Sequence, residues 1–384
     1  MSLPQHLPFD APLAAYEAQA DQLLAGHEAG APAAIQILHA CLPRFLDPVV
    51  TWKPLPIGDD EVLAASLTRD DTRLALARAY SFRDWDALAA FVAEVEAPGS
   101  ATQQFETAVE AVIAGDANAL RTMLLRDPAL VRARSTRITC HDPAVHAATL
   151  LHYLGANGVE GYRQRSPDNA VETARLLLDS GAEVDALAGL YGGQCTTLSL
   201  LISSTPPADA GVQVPLVNTL LDYGAAPDGV GDSQWKSPMF TALVFGFSDA
   251  AAAVAARGAT VDTLAIAAGL GRVDDCAHML PAATADDRHR AIALAAINDR
   301  VDVVALLLDA DVDPNRLNPD GMHSHQTPLH GAALAGQLAL VRLLVERGAR
   351  MDIPDTLWQS TALGWAEHAG QDAVMEYLRT KGAA

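Results

Sequence analysis

The sequence predicts an all-α solenoid of stacked helix pairs, and three observations lead to this prediction. Short segments of similar composition recur, as in TPLHGAALAG at 327–336 and SPMFTALVFG at 237–246. Each is followed by a leucine-rich segment, for example VRLLVERGARMD at 341–352. The glycines that end these pairs recur at a regular distance, since Gly224 and Gly258 lie 34 residues apart. A period of about 20–50 residues is typical of repeat proteins, in which no single unit buries its apolar face alone.

Each element of the pair has a physical reason. In TPLHGAALAG (327–336) the Thr begins an inner helix, and the Pro occupies its first turn, where a missing N–H is harmless. Small Ala residues let neighbouring helices approach closely. The leucines of the outer helix recur at i, i+3 and i+4, so they pack on the inner helix. We expect a left-handed stop of the outer helix at four glycines, Gly181, Gly224, Gly258 and Gly348.

The repeated unit resembles the ankyrin repeat. The motif Thr-Pro-Leu-His-x-Ala is complete at 327–332 and partial at 149–158, 237–246 and 361–370, and the ankyrin period is about 33 residues. The resemblance implies an ankyrin-repeat solenoid of about eight helix-pair repeats with hairpin fingers, some of them degenerate, over residues 104–384.

Two regions depart from a regular array. Gly258 and Gly348 lie 90 residues apart and enclose the ends of three repeats, so we expect these repeats to be short and two fingers to be incomplete. Residues 1–100 are predicted to form a helical N-terminal capping region, because an array needs a polar outer face at its end. This region resembles the small helical element that precedes ankyrin arrays in many bacterial proteins, and the resemblance is carried by Arg78, Tyr80, Phe82 and Trp85. Its predicted helices lie at 13–30, 31–46 and 71–97, and a turn at 81–84 interrupts the last of them.

Composition excludes several classes of protein. The 26 Lys and Arg against 47 Asp and Glu give a net charge of −21, which argues against a nucleic-acid binder. Apolar runs are too short for a membrane span, and the first residues do not resemble a secretory signal. The four scattered cysteines form no CxxC motif, so we expect neither a disulfide framework nor a cysteine-based zinc site, and a cytoplasmic location.

No motif for catalysis or cofactor binding is present. The sequence lacks GxxxxGK[ST], HExxH, GxSxG, and a GxGxxG following a strand. His323 and His325 lie two residues apart on an unusually long finger at 316–330, a spacing that metal ligands use. Asp320, or Asp355 from the next finger, could complete such a site, but the sequence forces no third ligand. We therefore predict no cofactor and no metal, and the sequence leaves open whether the chain is an enzyme.

Candidate binding residues fall into two groups. The first group surrounds an insertion at 159–169 and the fingers at 134–149 and 186–196. A second extension, at 203–214, belongs to the next repeat, so the two extensions would lie on the same edge of the solenoid and could form the wall of a pocket. The alternative is a loop with solvated charges. The residues of this group are His141, His146, Tyr153, Glu160, Tyr162, Arg163 and Tyr191.

The second group consists of aromatic and histidine residues on later fingers and inner helices. Trp is a frequent hot-spot residue in interfaces, although Trp365 can equally pack against the preceding finger. The group comprises Trp235, His323, His325, Trp358 and Trp365.

Two functions fit these patterns besides that of a purely architectural scaffold. The resemblance to ankyrin repeats implies a binding module that recognises a protein partner through its concave groove and hairpin tips. The alternative is an enzyme or small-ligand-binding protein with a pocket at repeats one to three. Neither a nucleic-acid partner nor a membrane is expected.

Overall fold

The computed structural model describes residues 6–156, 159–190, 193–231 and 235–383. These residues form two compact units. The first comprises the described residues up to Gly224 together with Gly231, and the second comprises Ala225–Val230 and the described residues from Trp235 onward. Both units consist mainly of α-helices.

The first unit begins with five helices that precede its helix pairs. Their bounds are α1 Leu13–Glu28, α2 Pro32–Cys41, α3 Asp59–Ala64, α4 Arg69–Ala79 and α5 Trp85–Glu96. The predicted pair of helices at 71–97 is confirmed, with the turn between α4 and α5. The helix predicted at 31–46 ends earlier, at Cys41, because Pro43 lacks the N–H that a continuing helix needs.

Three helix pairs follow in the first unit. The pairs are α6 Ala101–Ala114 with α7 Ala117–Arg126, α8 Leu150–Leu154 with α9 Ala170–Asp179, and α10 Thr197–Leu201 with α12 Gln213–Asp222. The extension at 203–214 contains a short helix, α11 (Thr205–Asp209), rather than an open loop. The finger between the second and third pairs is a two-stranded antiparallel ladder of β1 (Ala188–Leu190) and β2 (Gly193–Cys195).

The second unit contains five helix pairs. In each pair an inner helix precedes an outer helix. The pairs are α13 Pro238–Val244 with α14 Ser248–Ala256, α15 Leu264–Leu270 with α16 Val273–Met279, α17 Ala285–Ile297 with α18 Val301–Asp309, α19 Pro328–Leu334 with α20 Leu338–Glu346, and α21 Ala362–His368 with α22 Asp372–Thr380.

The predicted repeat architecture is confirmed in its main features. The eight helix pairs of the described residues match the predicted number. The glycines that end the outer helices have positive φ, with 97° at Gly181, 88° at Gly224, 97° at Gly258 and 93° at Gly348. Asp311 takes this place after α18 with φ of 58°, which a short polar side chain tolerates better than most. The connections before α15 and α17 are short, as expected for degenerate repeats.

The histidine of the repeat motif has a structural role. At His152 the Nδ1 atom accepts from the N–H of Thr149 at 3.2 Å, so the protonated Nε2 donates to the carbonyl of Cys195 at 3.3 Å. His330 forms the same pair of contacts with Thr327 and Ser360. Complete burial lowers the pKa of His152 to about 4, so its neutral form joins one helix to the next finger.

Small side chains allow the inner helices of the second unit to pack closely. Ala267, Ala291, Ala295 and Ala332 are all completely buried there. The outer helices contribute leucines such as Leu307, which is also fully buried. Packing of this kind excludes voids, so larger side chains at the alanines would push the helices apart.

We expect Gly348→Ala to destabilise the protein by about 1–2 kcal/mol, because a side chain at its φ of 93° clashes with its own backbone. An added Cβ at Gly348 meets no other atom within 4 Å, so the loss arises from the backbone alone. Gly161→Ala is the matched control, since its added Cβ also meets nothing within 4 Å and its φ is not in the left-handed range. Urea denaturation followed by circular dichroism measures both. Equal midpoints for the two variants would contradict the prediction.

Two further features bear on the predicted class of protein. Across the part of the chain that the structure describes, no helix combines the length and apolar character that crossing a bilayer requires. The four cysteines Cys41, Cys140, Cys195 and Cys276 all carry free thiols.

Candidate binding groove

An open groove of about 840 Å³ lies in the second unit. Its walls come from the ends of the inner helices, including Phe245 after α13 and Trp365 on α21, and from the fingers before α19 and α21. We call this cavity the aromatic groove and define it by Phe245, His323, His325, Trp358 and Trp365. Four of these five residues belong to the second group of predicted binding residues.

The rings of the aromatic groove form a continuous row. The centroid of Phe245 lies 6.0 Å from that of His323, and His323 lies 6.1 Å from His325. His325 in turn lies 5.4 Å from Trp358 and 5.7 Å from Trp365. Most of these contacts are edge-to-face, the arrangement that aromatic pairs favour. The ring of Trp235 extends the row beyond Phe245, with 5.6 Å between the two ring centroids.

The long finger before α19 reaches back to the end of α13. The ring of His323 makes a hydrogen bond of 3.0 Å to the carbonyl oxygen of Val244. The finger is closed by a hydrogen bond from the N–H of Asn318 to the carbonyl of Gln326, at 2.7 Å. The extra length therefore brings His323 and His325 to Phe245.

A buried carboxylate organises the next finger. Asp355 is completely buried and accepts hydrogen bonds from the backbone N–H groups of Leu357, Trp358 and Ser360, at 2.7, 2.6 and 2.9 Å. It also accepts one from Nε1 of Trp365, at 3.0 Å. Burial disfavours its charge, but these four donors outweigh that effect and lower the pKa of Asp355. The carboxylate thus holds both tryptophans of the aromatic groove in place.

The two tryptophans differ in exposure. Trp358 is 54% exposed, whereas Trp365 is only 7% exposed and packs against His330, with 5.4 Å between ring centroids. Trp365 therefore both lines the groove and packs within the array. Phe245, at the other end of the row, is 44% exposed.

The lining of the aromatic groove contains no carboxylate, ammonium or guanidinium group. None of the sixteen described residues that form it is Asp, Glu, Lys or Arg, although such residues make up 19% of the chain. Burial, together with the neighbouring His323, lowers the pKa of His325, and Asp355 opposes this only in part. His325 is therefore neutral at pH 7.

Most of the first group of predicted residues lies buried in the first unit, where they do not form a surface for a partner. Glu160 is 0% and Arg163 is 2% exposed, so these two charges of the insertion are not solvated. His146 and Tyr153 are buried as well. With Glu106 and Arg137 they form what we call the buried ion cluster.

Glu160 lies at the centre of the buried ion cluster. Its carboxylate accepts hydrogen bonds from the hydroxyl of Tyr153 at 2.6 Å and from Nη1 of Arg163 at 3.1 Å. The ring of His146 donates from Nε2 at 3.2 Å, because its Nδ1 already accepts from the N–H of Ala148. Burial disfavours the charge of Glu160, but Arg137, His146 and Arg163 together hold its pKa well below the usual range.

A second carboxylate completes the cluster. Glu106 on α6 accepts from Nε and Nη2 of Arg137 at 3.1 and 3.0 Å, and from Nη1 of Arg163 at 2.6 Å. The guanidinium of Arg137 lies over the ring of Phe91 on α5, with 4.2 Å to the centroid. Two carboxylates and two guanidinium groups therefore neutralise one another between the first two helix pairs and the helices that precede them.

The remaining predicted residues of the first group do not complete a pocket. Tyr162 stacks on His6 with 5.3 Å between ring centroids, and it contacts Tyr80 at 5.4 Å. His141 is exposed on its finger. Tyr191 lies outside the described residues. Nothing in this geometry favours the alternative pocket at repeats one to three.

Sequence reasoning missed three residues of these two sites. Phe245 was overlooked because it falls at the end of an inner helix, where the motif usually has a small residue; its size was the available signal. Glu106 and Arg137 carried no signal, because they lie far apart in the chain and meet only when the finger folds over α6. In the described ranges no group of three or more His, Cys, Asp or Glu side chains is placed to hold a metal ion.

Comparison with known proteins identifies the class of repeat. The family model described as ankyrin repeats in three copies matches residues 264–355 and 292–384. Ankyrin repeats are therefore detected over residues 264–384, and the helix pairs of this part of the chain agree with that match.

Curated relatives match over short segments. The chain is 44% identical over 77 residues to ankyrin repeat and SAM domain-containing protein 6 of Mus musculus and of Rattus norvegicus, which is 19% of this chain and 8% of each relative. It is 35% identical over 79 residues to cyclin-dependent kinase inhibitor 2A of Monodelphis domestica, which is 21% of this chain and 44% of the relative. The chain thus spans less than half the length of these relatives.

Proposed function

We propose that this chain is a binding module that recognises a partner protein through the aromatic groove. Ankyrin repeats are generally modules for protein–protein interaction, and one relative is named as an inhibitor of a kinase. The observation that carries the proposal is the exposure of Trp358 and Phe245, at 54% and 44%, in the lining of one groove. Large apolar rings of this kind are costly to leave in water and are typical anchors of interfaces.

The arrangement of the rings supports recognition. Trp358 is placed by hydrogen bonds from its finger to Asp355, and His323 by its bond to Val244. Side chains that are already ordered lose little conformational entropy when a partner docks on them. The aromatic groove therefore suits a partner that fits its existing shape.

For residues 1–100 we propose the capping role that the sequence predicts, with the repeat array occupying 104–384. The packing of Phe91 and Phe82 against the guanidinium of Arg137, at 4.2 and 5.0 Å to the ring centroids, supports this role. So does the contact between the rings of Tyr80 and Tyr162. A cap of this kind covers apolar surface that the first repeat would otherwise expose.

The double variant Phe245→Ala with Trp358→Ala tests the binding function. Affinity capture from a lysate of the source organism, with the wild-type chain as bait, is expected to retain a partner that the double variant loses by at least about tenfold, because hot-spot residues typically contribute about 2 kcal/mol or more. The same loss should appear when the purified partner is titrated against the purified chain.

Leu125→Ala is the matched control for this capture. Leu125 is 78% exposed on α7 and lies outside the aromatic groove, so its loss removes a similar apolar side chain without affecting the site. This variant should retain the partner at the wild-type level. If the double variant retained every captured protein as well as the control does, recognition through the groove would be refuted.

A further inference from the structure

The absence of Asp, Glu, Lys and Arg from the lining of the aromatic groove restricts what can bind there. The chain as a whole carries a net charge of −21, yet the sixteen described lining residues include no carboxylate, ammonium or guanidinium group. The nearest buried carboxylate, Asp355, is already surrounded by four donors. A charged side chain entering the groove would lose its hydration without gaining an opposite charge.

The shape of the lining favours an aromatic side chain. Phe245 and Trp358 expose their rings at the two ends of a row in which His323 and His325 lie between them. An incoming ring can make edge-to-face or offset contacts with several members of this row, whereas an aliphatic side chain makes only the apolar contact. The volume of about 840 Å³ leaves room for the residues that flank such a ring.

On these grounds we infer that the occupant of the aromatic groove is an uncharged segment of a partner protein that inserts an aromatic side chain beside Phe245 and Trp358. This inference rests on the proposed function, since it specifies the partner of that same site. Basic segments would be drawn to the acidic chain over longer distances, but the contact itself is made by uncharged residues.

Selection from a random peptide library displayed on phage tests the inference while the partner is still unidentified. The full chain and its Leu125→Ala variant are expected to enrich peptides with Phe, Tyr or Trp flanked by uncharged residues. A synthetic peptide of the enriched sequence should bind the Trp358→Ala chain at least about tenfold more weakly than the wild type. Replacing its aromatic residue with Leu should weaken binding about three- to tenfold, the range of an aromatic pair's additional energy.

The outcomes separate the inference from the proposed function. Peptides that depend on Trp358 but require Lys, Arg, Asp or Glu would overturn the inference while leaving protein recognition through the groove intact. Enrichment of no peptide that depends on Trp358 would count against both. The thermal midpoint of each variant is measured in parallel, and Phe245→Ala serves as the second probe should Trp358→Ala unfold.

Discussion

Arg163→Met is expected to destabilise the first unit by about 3–5 kcal/mol, the usual loss when one partner of a buried ion pair is removed. Arg163 is 2% exposed and its Nη1 atom donates to Glu106 at 2.6 Å and to Glu160 at 3.1 Å. Without its charge, the two buried carboxylates of this cluster lose one of the two guanidinium groups that balance them. Chemical denaturation at pH 7, followed by circular dichroism, measures the free energy of unfolding.

A control for this variant lies two residues away in the same insertion. Arg165 is exposed and pairs with Glu110 at 3.7 Å, so Arg165→Met should leave the unfolding midpoint close to that of the wild type. Adding Glu160→Gln to Arg163→Met restores the balance of buried charge and should recover part of the lost stability. Equal stability of the two single variants would show that the buried ion cluster does not hold the insertion in place.

The buried ion cluster also determines how the stability of the first unit changes with pH. The pKa of Glu160 is lowered on folding, so the folded state binds fewer protons at this site than the unfolded state. The contribution of Glu160 is therefore fully present above its unfolded pKa of 4.5 and is lost as the pH falls below that value.

Asp355→Ala is expected to destabilise the second unit by about 2–4 kcal/mol and to weaken binding at the aromatic groove. The substitution removes the common acceptor of four hydrogen bonds, from Leu357, Trp358, Ser360 and Trp365. Buried donors left without an acceptor each cost about 1–3 kcal/mol, although the finger can rehydrate some of them. Denaturation monitored by tryptophan fluorescence reports the loss directly at the affected rings.

Asp352→Ala is the control for this prediction. Asp352 lies on the same finger, but its side chain is 72% exposed and pairs with Arg350, so its removal should leave both the unfolding midpoint and binding unchanged. If Asp355→Ala bound the partner as tightly as Asp352→Ala does, the carboxylate would not be the residue that positions Trp358.

The repeat architecture could be predicted because it depends on local signals. The TPLH segment at 327–330, the leucine spacing of the outer helices and the glycine stops each act within a few residues. The incomplete fingers could also be predicted, because the 90 residues between Gly258 and Gly348 are too few for three full repeats. Each of these features corresponds to a spacing between residues that can be measured in the sequence.

The candidate site could be predicted only residue by residue. The sequence indicated His323, His325, Trp358 and Trp365 on separate segments, each for its own reason. It did not indicate that they meet in one groove, or that Phe245 joins them, because that depends on how far the long finger reaches. Contacts between residues that are far apart in the chain produce no periodic pattern in the sequence, and His323 and Val244 are separated by 79 positions.

The sequence by itself determined the helix pairs, their number and the places where the array is irregular. Only the tertiary structure decided which irregular segments face the solvent. The insertion at 159–169 was predicted to border a pocket, yet Glu160 and Arg163 lie inside the first unit. Their burial requires Glu106 and Arg137, which come from other segments, to neutralise them; without these partners the same charges would remain in water.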